Sequence, residues 1–65
     1  MQDFKPTKKQ ILSNIESNLL FLKTKNDSRW QTFLRAYVAI VAAGKPIKAL
    51  IALDAEVQVA AETNT

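Results

Sequence analysis

The chain is 65 residues long, 48% of them hydrophobic, and it contains neither cysteine nor histidine. These absences exclude disulfides, thiolate metal sites and catalytic cysteines, and they remove the commonest metal ligand and general base. The length fits one domain, residues 1–65, with a small core that packing alone must stabilise, so we expect oligomerisation to contribute.

Charge is divided unevenly along the chain, although the net charge is only +3. Residues 1–48 contain nine Lys and Arg against three acidic residues, whereas residues 49–65 contain three acidic residues and no cation. The N-terminal residues are polar and show no apolar run typical of a signal peptide, so we expect a cytoplasmic protein. The longest nearly uncharged run, residues 36–43, is far shorter than the roughly 20 residues that span a bilayer, and no membrane partner is predicted.

The first predicted helix covers residues 7–24. Thr7 and Gln10 have the spacing of a capping box, and Pro6 ends any earlier helix. An apolar stripe about 100° wide is typical of an amphipathic helix, and here it contains Ile11, Leu12, Ile15, Leu19 and Leu22. Phe21 lies outside this stripe and either contacts a partner or covers the neighbouring loop.

The second predicted helix covers residues 29–43 and is apolar around nearly its whole circumference. Ser28 and Gln31 have capping-box spacing at its start, and Gly44 is placed to adopt a left-handed conformation at its end. A helix of this kind is normally buried, so we expect it either to pack within the chain or to form a subunit interface. Close approach of another helix is allowed by a stripe of small residues: Thr32, Ala36, Ala39 and Ala43.

The third predicted helix covers residues 46–61, with Pro46 at the first helical position. Its predicted core face consists of Ile47, Leu50, Ile51, Leu53 and Val57. Asp54 falls in the middle of this face, where Arg35 of the second helix is the candidate partner for its carboxylate. Alternating apolar residues over 53–59 leave a strand as the alternative, which would require pairing between chains.

The three helices predict an all-α protein, a small three-helix bundle that either packs within one chain or is completed by homodimerisation. Residues 1–6 and 62–65 at the two ends are predicted to be flexible. No helix-turn-helix is predicted, because the third helix offers few side chains that could read bases.

Residues able to carry chemistry are sparse. The six carboxylates are scattered, no histidine is present to activate a serine or threonine, and Gly44 alone cannot form a glycine-rich phosphate loop. Neither an EF-hand loop nor a zinc-binding spacing occurs. We therefore predict no enzymatic activity, no catalytic site, no metal, no cofactor and no small-molecule substrate.

The predicted function is that of a non-enzymatic interaction protein, an adaptor, inhibitor or regulator that binds another protein through an apolar helical surface. Homo-oligomerisation, with a dimer favoured, would use the same surface. The candidate interface residues are Phe21, Trp30, Phe33, Ala36, Tyr37, Ala39 and Ala43. For the aromatic members the alternative is that Trp30 and Phe33 fill the core where two helices meet.

Lysines form a second candidate surface. In an up-down-up bundle the start of the first helix meets the turn between the other two, which collects Lys5, Lys8, Lys9, Lys45 and Lys48. This basic end could bind the phosphates of a nucleic acid with a steep dependence on salt, or it could simply keep a small apolar protein soluble. At the opposite end Lys23, Lys25 and Arg29 are expected near the acidic C-terminal segment, which would neutralise them.

Overall fold

A computed structural model describes residues 7–64 of the chain as an all-α domain. Its helices are α1 at Lys8–Thr24, α2 at Arg29–Ala42 and α3 at Ile47–Thr63, and the described residues contain no strand. The predicted three-helix bundle is confirmed. The alternative of a strand at 53–59 is wrong, because all of these residues lie within α3.

Each of the two interhelical turns begins with a residue in the left-handed conformation. α1 is followed by Asn26 at φ 60°, and the next backbone N–H donates to the Leu22 carbonyl at 3.0 Å. α2 is followed by Gly44 at φ 64°, and the next backbone N–H donates to the Ile40 carbonyl at 3.1 Å. Both are Schellman motifs, which satisfy the last carbonyls of a helix. The predicted role of Gly44 is confirmed.

The predicted N-terminal cap holds for α1 and not for α2. Thr7 Oγ1 accepts a hydrogen bond from the Gln10 N–H at 3.1 Å, as predicted. Ser28 is already in the helical conformation and makes no side-chain capping bond. Asp27 supplies the cap instead, because its Oδ1 accepts from the Arg29 N–H at 3.0 Å and a carboxylate is favoured at the positive end of a helix.

The C-terminal end of the described chain is helical further than predicted. α3 begins after Pro46 and continues past residue 61 to Thr63, and flexibility of the last residues stays a prediction. Asn64 Nδ2 donates to Asp27 Oδ2 at 2.7 Å, which ties the end of α3 to the turn between α1 and α2. The predicted flexible segment 1–6, and with it Lys5, lies outside the described residues, as does residue 65.

The core lies between α1 and α3. The buried hydrophobic side chains of the described residues all belong to these two helices: Ile11, Ile15, Leu19, Leu22, Leu50, Leu53, Val57, Ala60 and Ala61. The predicted stripe of α1 is thereby confirmed, with Leu12 partly buried beside it. α2 has no fully buried residue, and it packs against the core only through partly buried side chains, so packing within the chain covers it in part and a subunit interface stays a prediction. Two other helices cover only one side of it.

The core face of α3 is rotated from the predicted one. Ile47 and Ile51 are exposed, whereas Ala60 and Ala61 are buried. This rotation moves Asp54 from the middle of the face to its edge, where the carboxylate loses less of its hydration. The buried face of α3 thus contains Ala60 and Ala61 in place of Ile47 and Ile51. These small side chains allow α1 and α3 to approach closely.

The Asp54 carboxylate stays without the partner predicted for it. Its Oδ1 is buried with no hydrogen bond in the described part of the chain, and burial raises the pKa of the Asp54 carboxyl. Arg35 is exposed on the outward side of α2 and forms no hydrogen bond with Asp54, so the predicted ion pair is wrong. The charged form of Asp54 therefore destabilises the fold at neutral pH.

The substitution Asp54→Asn tests whether the charged form of Asp54 destabilises the fold. A raised pKa in the folded state means that Asp54 favours folding when protonated, at acidic pH, and loses this contribution as the pH rises through the folded pKa. We expect the variant to gain about 0.5–1 kcal/mol of unfolding free energy at neutral pH, by thermal denaturation, and less at acidic pH. The exposed control Glu56→Gln should change neither when the chain is dilute enough to be monomeric. A less stable Asn variant at neutral pH would show that the carboxylate has a favourable partner.

Candidate functional site

The predicted interface residues divide into two groups. Trp30, Phe33, Ala36 and Tyr37 are half-buried and pack against the core, as the core-filling alternative for Trp30 and Phe33 proposed. The small-residue stripe of α2 therefore contacts its own chain through Ala36, while Thr32, Ala39 and Ala43 are exposed. A further contact of these side chains with another molecule stays a prediction.

Tyr37 joins the middle of α2 to the middle of α1. Its hydroxyl donates to Glu16 Oε2 at 2.7 Å. Burial, and secondly the neighbouring Glu16 carboxylate, raises the pKa of Tyr37 to about 12. The phenol is therefore neutral at physiological pH and serves as a hydrogen-bond donor that orients α2.

The two lysines at the end of α1, Lys23 and Lys25, lie over aromatic rings. Lys23 Nζ lies 5.3 Å from the centroid of Trp30, and Lys25 Nζ lies 5.5 Å from that of Phe21. Such cation–π contacts contribute about 0.5–1 kcal/mol each at exposed sites. Together with the Tyr37 hydrogen bond, the Lys23–Trp30 contact fixes α1 and α2 in an antiparallel register.

Arg29 does lie beside the C-terminal segment, but its carboxylate partner is Asp27. The guanidinium forms an ion pair with Asp27 and also donates to the Ala60 carbonyl at 3.2 Å and to Thr63 Oγ1 at 3.4 Å. Hydrogen bonds, chiefly from the Arg29 side chain, hold the pKa of Asp27 well below its usual range. These bonds connect the start of α2 to the end of α3, so Arg29 lies where it was predicted. Neutralisation of this end by the acidic residues of the segment stays a prediction.

Phe21 is half-buried and lines a shallow groove between α1 and α3. The groove has a volume of about 370 Å³, and its lining includes Asn18, Gln58 and Ala61. Phe21 thus borders this groove, and its contact with a partner stays a prediction. The groove also shows that α1 and α3 run parallel, because its lining comes from the C-terminal halves of both helices.

The most exposed apolar surface of α2 is one that the sequence did not single out. Leu34, Val38 and Val41 are 38%, 56% and 50% exposed, and their spacing of four and three places them on one side of the helix. We call these three residues the outer face. The sequence does indicate an apolar surplus on α2, but a helix that is apolar nearly all round does not reveal which of its sides stays exposed.

The four predicted polyanion-binding lysines within the described residues are all exposed: Lys8, Lys9, Lys45 and Lys48. Because α1 and α3 are parallel and α2 is antiparallel to both, the topology places these lysines at one end of the bundle. The N-termini of α1 and α3 lie at the same end, and neither helix has an acidic residue in its first turn. Lys5, the fifth member, lies outside the described residues.

Titration of the Tyr37 hydroxyl tests whether this side chain holds α2 against α1. Tyr37 is the only tyrosine, so its phenolate absorbance in the near ultraviolet reports this group alone. We expect a midpoint of about 12 in the folded chain. The raised pKa means that its stabilising contribution is complete below the ordinary value near 10 and is lost as the pH rises through 12.

Glu16→Ala should lower this midpoint but leave it above the value of an exposed tyrosine, because burial is the larger cause. Circular dichroism over the same pH range identifies any concurrent unfolding. A wild-type midpoint equal to that of free tyrosine would contradict the packing of Tyr37 against α1.

Neither a metal-binding cluster nor a membrane-spanning helix occurs within residues 7–64. No group of three or more acidic side chains there could hold a metal ion, and no helix is long and apolar enough to cross a membrane. The candidate surfaces are thus defined by shape, apolarity and charge. The chain matches no protein-family model, no curated protein and no solved structure.

Proposed function

We propose that this protein is a non-enzymatic interaction protein of the cytoplasm, an adaptor, inhibitor or regulator that binds another protein through the outer face of α2. The observation that supports the proposal is the exposure of Leu34, Val38 and Val41 on a helix without a single buried residue. Isolated exposed apolar side chains are ordinary, but a continuous group of them is typical of interaction surfaces. Burial of this apolar surface against a partner would stabilise the complex by about 25 cal/mol per Å².

The contacts on the inner side of α2 prepare the outer face for binding. Tyr37 is hydrogen-bonded to α1, and Arg29 connects the start of the helix to α3. A helix held in this way loses little conformational freedom when a partner binds, which favours affinity. Action would be steric: α2 occupies a groove of the partner, and Arg35 beside the outer face favours acidic surroundings.

A photocrosslinking amino acid at Val38, compared with the same group at Ser13, tests this proposal. Both positions are exposed, but Ser13 lies on the polar side of α1. In cells that express the protein we expect a discrete crosslinked protein from position 38 and none from position 13. Equal products at both positions, or none at either, would contradict binding through the outer face.

A second candidate function is nucleic-acid binding by the basic end. It is favoured by the shared location of Lys8, Lys9, Lys45 and Lys48 with two helix N-termini, whose partial positive charge also attracts phosphate. Such binding would follow the phosphate backbone, weaken steeply with salt and carry little sequence preference.

The combined change of Lys8, Lys9 and Lys48 to Glu tests the second candidate. It reverses charge at the basic end, so we expect loss of retention on immobilised DNA or RNA at low salt. The control changes Lys23, Lys25 and Arg35 to Glu, which alters the net charge equally elsewhere and should retain most binding. Because Lys23 and Lys25 contact aromatic rings, circular dichroism first verifies that this control is folded. Equal loss in both variants would indicate a general charge effect and contradict a specific basic end.

A further inference from the structure

A second apolar feature of the surface lies between α2 and α3. This groove has a volume of about 430 Å³, and Phe33, Ala55, Val59 and Ala60 supply its apolar lining. Two of these residues are alanines, so the groove leaves room for side chains larger than its own. Val59 is more than half exposed at its margin, which leaves the groove open to solvent.

The outer face of α2 carries large apolar side chains, which the lining of this groove largely lacks. Leu34, Val38 and Val41 project as branched side chains, and large side chains from one helix pack well against small residues of another. The groove lies toward the α3 side of α2, whereas the outer face is turned away from it, so a chain cannot fill its own groove with its own outer face.

Charges beside the two surfaces are opposite. Arg35 adjoins the outer face, and α2 contains no carboxylate at all. Glu56 and Arg29 both line the groove, and Arg29 is already paired with Asp27, so Glu56 supplies the charge available to a partner there. Arg35 and Glu56 are both exposed, and neither forms a hydrogen bond or ion pair with another residue in the 7–64 region. Each surface thus carries an unpaired charge that the other would satisfy.

We propose that the partner of the outer face is a second copy of this chain, which receives Leu34, Val38 and Val41 in its α2–α3 groove and places Glu56 opposite Arg35. The inference rests on the proposed function and names its partner. Because each copy presents both surfaces, the contact is head-to-tail, and it joins further copies unless the assembly closes into a ring.

Single substitutions on the two surfaces test the pairing. Val38→Asp disables the outer face and Val59→Asp disables the groove, and both side chains are more than half exposed, so the fold should persist. Light scattering over a roughly hundredfold concentration range should show association for the wild type and a monomer for either variant. Ile51→Asp is the control, because Ile51 is similarly exposed on α3 but does not line the groove, and it should associate like the wild type.

Mixing the two variants distinguishes a head-to-tail contact from a symmetric one. An equimolar mixture of Val38→Asp and Val59→Asp chains retains one intact outer face and one intact groove, so we expect a one-to-one complex that grows no further. In a symmetric contact between two outer faces, Val59→Asp would instead dimerise alone and the mixture would gain nothing. That result would overturn the proposal.

Charge reversal tests the Arg35–Glu56 pairing. Arg35→Glu and Glu56→Arg should each weaken association about tenfold at low salt, and the double variant should recover it. A double variant as weak as the singles would contradict the pairing. A wild-type chain that stays monomeric throughout would refute the second-copy proposal, while crosslinking of a different protein at position 38 would still support the proposed function.

Discussion

The packing of α1 against α3 is the contact on which the rest of the structure depends. Every buried hydrophobic residue of the described chain belongs to one of these helices, and the largest fully buried side chains include Ile15, Leu22 and Leu50. With no disulfide or histidine–metal site available, this interdigitated pair supplies most of the apolar burial that offsets chain entropy. The small residues Ala60 and Ala61 let the two backbones approach where α3 nears its end.

α2 is attached to this pair by one side and by specific polar contacts. Tyr37 and Glu16 join its middle to α1, and the bonds among Asp27, Arg29 and Asn64 join its start to the end of α3. A small domain cannot enclose a helix that is apolar all round, because two neighbours cover only part of its circumference. The exposed remainder is the physical reason why we propose that α2 binds a partner.

The sequence predicted the bounds of the helices better than it predicted which side of each helix is buried. The stripe of α1 had a clear polar opposite side, so its buried face followed directly, and Gly44 identified the end of α2. The rotation of α3 was missed because Ala60 and Ala61 look unremarkable beside larger apolar residues, although the cost of burying Asp54 pointed to it. α2 has too few polar residues for the sequence to indicate which of its sides faces solvent. Tertiary packing alone therefore decides which side chains form the outer face.

Hydrogen exchange of the backbone amides tests the central claim most directly, at a concentration where the chain is monomeric. If α1 and α3 form the core and α2 is held on one side, amides in the middle of α1 and α3 should exchange only through global unfolding. Amides in the middle of α2 should exchange through a partial opening of lower free energy. Equal protection of all three helices, with exchange at one common free energy, would contradict the account.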